Sequence, residues 1–312
     1  MTAGSASQAG LRFAGAGLAM AAAGSIAFSG KAIIVKLAYR HGVDAVTLIM
    51  YRMLFALPLF VALAWWASRG KPPLARRDWL AVAGLGFTGY YLASFLDFLG
   101  LQYVSASLER LILYLNPTLV LLIGMLAFGH RVQARQLAAL AVSYLGVVVV
   151  FGHELRLEGT HVVLGAGLVF ASAVSYAIYL AFSGEVVKRV GALRLTGLAT
   201  TVACLLCIAQ FFVLRPVGAM VVAPEVLWLS LLNATLCTFA PVILVMLAIE
   251  RIGPTLTAQT GMLGPLSTLL MGVWILGEPF TPWVAAGTAL VLVGIGMLAR
   301  AGRMDARRAA SD

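Results

Sequence analysis

The chain has 312 residues, of which 62% are hydrophobic and 11% charged, with a mean hydropathy of +0.98. A soluble domain carries roughly 25% charged residues, so this composition excludes a water-soluble fold and makes lipid the solvent. The net charge of +10 would suggest nucleic acid in a soluble protein, but it sits in short clusters between apolar runs, such as Arg69–Lys71–Arg76–Arg77, with no aromatic-interleaved basic face, which excludes nucleic acid as a partner and fits loops against anionic headgroups.

A helix needs roughly 20 mostly apolar residues to cross hydrocarbon, where no water satisfies a bare backbone. After a tail at 1–12, runs at 13–37, 45–67, 79–102, 106–128 and 135–152 qualify, followed by 163–186, 195–214, 225–248, 255–276 and 282–299, with a second tail at 300–312. The sequence therefore predicts an all-α membrane protein of ten transmembrane helices. Both tails read as short and disordered. The start, MTAGSASQAGLRF, lacks a basic n-region, so the first run reads as a retained span and not a cleaved signal. Connections are short and carry turn chemistry, as in Gly70–Lys71–Pro72–Pro73, Arg215–Pro216 and Gly277–Glu278–Pro279. Cys204 and Cys207 form a C-x-x-C inside an apolar run with no His or acid nearby, so they and Cys237 read as small helix residues, with no metal or redox site.

Lys and Arg in the connections set the orientation. Alternate segments from the N-terminus hold fifteen: Arg12, Arg69, Lys71, Arg76, Arg77, Arg131, Arg135, Lys188, Arg189, Arg194, Arg251, Arg300, Arg303, Arg307 and Arg308. The opposite set holds three, Arg40, Arg156 and Arg215. The bias predicts a multi-pass protein of the inner (plasma) membrane with both termini cytoplasmic.

The chain also repeats itself. GAGL at 15–18 recurs at 165–168, and Ala21, Ala23, Ser25 and Ala27 meet Ala171, Ala173, Ser175 and Ala177 at the same offset. Further on, Leu115, Pro117, Leu121, Leu122, Gly124, Gly129 and Gly146 match Leu263, Pro265, Leu269, Leu270, Gly272, Gly277 and Gly294. The halves 13–152 and 163–299 thus hold five spans each; five being odd, the second enters the membrane inverted. Inverted repeats are the usual build of alternating-access carriers, with the site near mid-membrane. Asn116–Pro117 and Gly264–Pro265 interrupt the fourth and ninth spans at matched positions, where proline removes a backbone donor; they are the predicted kinks and hinge.

Two five-helix units, with spans shaped like LNPTLVLLIGMLAFGH and LGPLSTLLMGVWILGE, each followed by a Gly-rich last span, resemble the EamA family of the drug/metabolite transporter superfamily over about residues 13–300. The end-of-span Gly-Glu signature stands as Gly277–Glu278 and is altered in the first half to Gly129–His130. The resemblance implies a permease, typically an exporter of amino acids, other metabolites or drugs, whose first, third, fourth, sixth, eighth and ninth helices line a central cavity, and whose second helix is peripheral.

Five charges lie within spans, all in the first half: Lys31, Arg52, Asp97, Glu109 and Arg110. A charge at a helix centre costs about 2.5–3.5 kcal/mol on insertion scales. At about 1.5 Å rise per residue, all five sit about 6–12 Å outward of their helix centres, in one layer where they can pair. Such a layer can brace the outer side, or it can bind: Lys31 meeting an anionic group, Asp97 or Glu109 accepting a coupling proton. Tyr90, Ser94 and Asp97 share a helical face with Tyr91 alongside, and Tyr176 and Tyr179 add aromatic candidates suited to an amphipathic metabolite. Polar residues Ser172, Ser175, Asn233, Thr235, Thr238, Thr257, Gln259 and Thr260 read first as backbone-bonding groups. Small residues Ala139, Ser143, Gly146, Gly287, Gly294 and Gly296 favour close helix packing, within the bundle before a dimer face; a monomer and a homodimer both fit.

No Walker motif, H-E-x-x-H or G-x-S-x-G occurs, no charge ring or filter-like loop marks a channel, and no cluster of nucleophile, base or metal ligands marks an enzyme. The expectation is a cofactor-free secondary transporter of a small amphipathic or anionic metabolite, such as an amino acid.

Overall fold

The computed structural model describes residues 3–128, 134–158, 160–260 and 263–309. Among them lie eight helices long and apolar enough to cross a membrane: α1 (Gly15–Tyr39), α2 (Ala45–Ser68), α3 (Arg76–Gly100), α4 (Ala106–Ala127), α5 (Ala134–Arg156), α6 (His161–Val190), α7 (Ala192–Leu214) and α8 (Pro224–Val245). Two shorter apolar helices follow, α9 (Leu266–Leu276) and α10 (Pro282–Met297). The described residues contain no strand. Large apolar side chains face outward, with Trp274 at 85% and Leu126 at 81% exposure, while Lys31, Arg52, Asp97, Glu109 and Arg110 are buried. That inversion of a soluble protein's surface is what a hydrocarbon solvent selects.

Local chemistry sets the boundaries. Asp44 caps α2, accepting from Val46 N at 3.0 Å and Thr47 N at 3.3 Å, and Ser105 caps α4 through Leu108 N at 2.9 Å. Gly277 ends α9 in the left-handed region at φ 73°, which only glycine enters without strain. Helical backbone extends into both stretches read as disordered tails, to Ala3 and to Ala309; alanine and arginine are strong helix formers there. The backbone is also helical throughout Ala240–Thr260, where a turn was expected at 249–254. Pro254 removes one donor from this helix, and the backbone nonetheless stays helical through it.

The main pairings exchange between the halves. α2 packs on α7 and α5 on α10; α1 packs on α8 and α9, while α6 packs on α3 and α4. Wide π-turns interrupt α3 at Phe87–Leu92 and α8 at Thr235–Phe239, again matched in position. Between α5 and α10 the backbones nearly touch. A Cβ on Gly146 would lie 2.6 Å from the Gly287 carbonyl, and one on Gly294 would lie 2.8 Å from that of Ala139 and also strike Ser143. The small-residue stripe is therefore used inside the bundle, except Gly296, whose Cβ would meet open space.

Alternate connections gather at opposite ends. At one end Arg215 Nε reaches Asp44 Oδ1 at 3.1 Å and Arg40 Nη2 reaches the Leu276 carbonyl at 2.6 Å. At the other, Arg194 bonds Ser68 Oγ at 3.0 Å and the Pro72 carbonyl at 3.1 Å, and Arg189 pairs with Asp78 at 3.0 Å.

Candidate functional site

Four of the five intramembrane charges meet where α1, α3, α4 and α9 converge. Lys31 Nζ stands 2.6 Å from Asp97 Oδ2 and 3.2 Å from Glu109 Oε1. Arg110 Nε lies 4.0 Å from Glu109 Oε2 and donates to Thr268 Oγ1 at 3.0 Å, while its Nη2 reaches the Phe28 and Ser29 carbonyls, each at 3.3 Å. The Phe28 ring lies between the two cations, 5.9 Å from Lys31 Nζ and 5.5 Å from the Arg110 guanidinium. Glu109 is wholly buried in the first turn of α4, where the positive end of the helix dipole favours a carboxylate. Asp97 Oδ1 and both Glu109 oxygens nonetheless lack hydrogen-bond donors. Coulomb attraction holds this cluster together with acceptor capacity unfilled, an arrangement able to exchange partners.

Arg52 departs from the peripheral position expected of it. It is 5% exposed, its Nε donates to Thr238 Oγ1 at 3.1 Å, and its guanidinium lies 5.1 Å over the Phe98 ring. Thr238 Oγ1 in turn donates to the Asn233 carbonyl at 2.8 Å, five residues back across the π-turn of α8. The extra residue in that turn aims Thr238 at Arg52; π-turns recur at functional sites. A desolvated cation–π contact is worth about 2 kcal/mol or more.

The helix breaks sit against this cluster. α4 pauses at Tyr114–Leu115, and helix resumes at Asn116 with Pro117 in its first turn, where a missing N–H costs nothing. Thr118 Oγ1 closes the pause on the Leu115 carbonyl at 2.5 Å. Gly264 and Pro265 likewise occupy the first turn of the helix Leu263–Met271. Ser29 Oγ donates to the Gly264 carbonyl at 2.9 Å, and a Cβ at Gly264 would strike Tyr114 Oη. The two breaks thus touch each other beside Ser25 and Ser29 of α1, with glycine required by the approach.

The beginning of α4 is clamped by two carboxylates. Glu278, just past α9, accepts from Ala106 N at 2.7 Å and Ser107 Oγ at 2.8 Å, and Glu154 of α5 accepts from Ser105 Oγ and from Ser105 N. A vestibule of about 700 Å³ opens above them, lined by Lys36, Arg40, Gln102 and His153 among others. Tyr39, whose Oη donates to the Phe98 carbonyl at 2.5 Å, and buried Leu101 also line it.

The tyrosines divide. Tyr90 and Tyr179 share a hydroxyl contact of 3.3 Å, and Tyr176 stacks on Tyr179 at 5.5 Å between centroids. Tyr91 lies apart, against Phe87 and Phe95, because neighbouring helix residues point about 100° apart. Several polar residues bond backbone: Ser172 to Ala93 at 2.7 Å, Ser175 to Thr88 at 2.8 Å, Thr235 to Leu231 at 2.7 Å. The side chain of Gln259 and the residues Gly129 and His130 lie outside the described set. Glu154 and Tyr114 escaped the sequence reading. Ser105 ahead of an apolar run was the available cap signal for the first; nothing local marks the second.

The sequence pattern defining the EamA-like transporter family matches residues 15–152 and again 163–300. The chain is 30% identical over 285 residues to the "Uncharacterized transporter YcbK" of Bacillus subtilis, covering 86% of this chain and 88% of that protein. It is 23% identical over 269 residues to an "Uncharacterized transporter" of Archaeoglobus fulgidus, covering 86% and 92%. A solved structure titled only "Crystal structure of protein" aligns with a TM-score of 0.62 at 19% identity, over 94% of this chain and 98% of its own, a likeness of fold.

Proposed function

This chain belongs to the EamA-like transporter family, and we propose that it is a secondary transporter that exports a small metabolite, such as an amino acid or a related amphipathic or anionic compound, across the inner (plasma) membrane. In this reading ten transmembrane helices form two inverted five-helix repeats, 13–152 and 163–299, and both termini are cytoplasmic. The exchanged pairings, the matched π-turns and the paired prolines support the inversion; the bias of Lys and Arg supports the orientation. Alternating access moves the halves against each other about Asn116–Pro117 and Gly264–Pro265.

One observation carries the proposal: the buried ion-pair cluster of Lys31, Asp97, Glu109 and Arg110 sits where the two helix breaks touch. Charges in lipid are kept for function, and pairs with unfilled acceptors can re-form with other partners as a cavity opens. Asp97 and Glu109 are the groups to take a coupling proton. Tyr90, Tyr176 and Tyr179, packed together, are the aromatic candidates for the substrate's path on the cytoplasmic side, with Tyr91 a separate candidate beside Phe87 and Phe95. Counterflow tests the reading. Proteoliposomes loaded with one amino acid at millimolar level should transiently accumulate its labelled form, for at least one member of a twenty-amino-acid and organic-acid panel chosen by metabolite profiling with and without the gene. Label that only equilibrates, at a rate indifferent to the internal pool for every member, would remove the carrier mechanism.

A further inference from the structure

Arg52 is a buried cation with no ion pair among the described residues; the charge of Asp97, which Lys31 already holds, acts on it from beyond contact. Among the described residues no carboxylate lies within 4.0 Å of it, although Lys31 engages two and Arg110 one. Its Nη1 is sealed from solvent and unbonded, and Nε is its one hydrogen-bonding nitrogen among the described residues. Guanidinium does not shed its proton in proteins, so Arg52 cannot neutralise itself as a buried lysine can. A buried charge without a partner is strongly unfavourable. The five charges read from the sequence as one layer are the cations Lys31, Arg52 and Arg110 and the anions Asp97 and Glu109, and the two further acids nearby, Glu154 and Glu278, are spent on Ser105, Ala106 and Ser107 at the beginning of α4.

The remaining cations are occupied. Lys31 faces both acids, and Arg110 bonds Thr268 and two carbonyls of α1. On Arg52 the Nη1–Nη2 edge, the side of the fork that takes a carboxylate through two parallel hydrogen bonds, carries no protein acceptor among the described residues. Phe98 covers one face of the guanidinium. On α8, Asn233, whose carbonyl takes the Thr238 hydroxyl, has its Oδ1 buried without a hydrogen-bond partner among the described residues, as has Ser230 Oγ one turn earlier. These polar atoms belong to α2 and α8, and two sequence neighbours on α3 link them to the Lys31 cluster, Phe98 against Arg52 and Asp97 bonded to Lys31.

We infer that the ligand fills the open edge of this fork: Arg52 receives a single carboxylate, so the substrate class is a monocarboxylate or a zwitterionic amino acid. This rests on the carrier reading and narrows it, giving the ligand's anion to Arg52 and leaving Lys31 to the two acids.

The test uses the purified full chain in nanodiscs with Hepes as the sole buffer anion, followed by thermal unfolding. Probes are acetate, phenylacetate and alanine, with phenylacetamide as the neutral match and chloride as the inorganic match. Wild type should gain thermal stability with at least one carboxylate and none with phenylacetamide. Arg52→Met should start with a higher Tm in Hepes alone, since a buried charge with an unbonded nitrogen is gone, and should lose the carboxylate response by about tenfold or more in half-saturating concentration. Arg52→Lys should retain part of it. The inference is overturned by a wild type that answers to no carboxylate, by an equal answer to the amide, by a response surviving in Arg52→Met, or by a lower starting Tm in that variant. Stabilisation by chloride alone would assign the charge to a resident ion and also overturn the substrate class. Failed counterflow with an intact Arg52-dependent shift would remove the carrier reading and leave the anion site; intact counterflow without the shift would remove this inference alone.

Discussion

Replacing Lys31 by Met separates bracing from ligand binding. The ammonium lies 2.6 Å from Asp97 and 3.2 Å from Glu109, with both acids buried. Without it, Glu109 keeps only Arg110 at 4.0 Å, and Asp97 loses its ion-pair partner. Breaking a buried pair costs about 3–5 kcal/mol. The two losses share one cation and do not add, so that range is expected for the single variant. At about 2–4 °C per kcal/mol for a large domain, the apparent Tm should fall by something on the order of 10 °C. Lys31→Met combined with Asp97→Asn removes one charge of each sign and should recover most of that loss. Thermal unfolding in nanodiscs reads the stability, and counterflow, which needs no driving ion, reads transport. A single variant as stable as wild type would refute the ion-pair accounting. Regained counterflow in the double variant is the expected result; a stable but inactive double variant would return the ligand contact to Lys31.

Gly146→Leu should lower the apparent Tm by roughly 1–3 kcal/mol equivalent or prevent folding, because its Cβ would meet the Gly287 carbonyl at 2.6 Å; an unchanged melting curve would contradict the α5–α10 contact. At the Arg215 end, burial pushes the Asp44 carboxyl up, but the Thr47 hydroxyl and amide, Arg215 and the Val46 amide outweigh it and hold it below its usual value. A depressed folded value stabilises above the unfolded carboxylate pKa near 4 and is lost as pH falls through the folded one. Asp44→Asn should therefore flatten the loss of stability below about pH 4, and identical acid profiles for the two proteins would sink the assignment. Reporter fusions at residue 75 and at the C-terminus should report cytoplasm and one at residue 157 the outside; termini on opposite sides would overturn the ten-span topology.

Much of this was legible because hydrocarbon is a strict solvent. The length of each apolar run follows from bilayer thickness, and the layer of charges from rise per residue, so Lys31, Asp97, Glu109 and Arg110 could be placed together before any contact was known. Pairing partners were less accessible. Arg52 was expected at the periphery because the family resemblance implies a peripheral second helix; its contact with Thr238 is set by a π-turn in α8, and an inserted residue leaves no mark in composition. Pro117 signalled a break, yet the pause falls at Tyr114–Leu115, since proline suits the first turn of the helix that follows. The helix through Pro254 shows the opposite error: one missing donor is a small defect where a break would expose more.

The α5–α10 contact has a further consequence. Counting 148 residues from Gly146 and Ala139 gives Gly294 and Gly287, so the approach of 146 to 287 and that of 139 to 294 are one contact written twice, as across the axis of a symmetric dimer. In a true dimer of identical chains, every charge placed in one subunit would appear in the other, and the layer would face its own duplicate. Joining the copies in one polypeptide removes that obligation. Positions 97, 109 and 110 have Val245, Thr257 and Ala258 as their counterparts, so one copy is free to carry the charge while the other keeps the shape. The scaffold stays twofold, and its ligand can be lopsided.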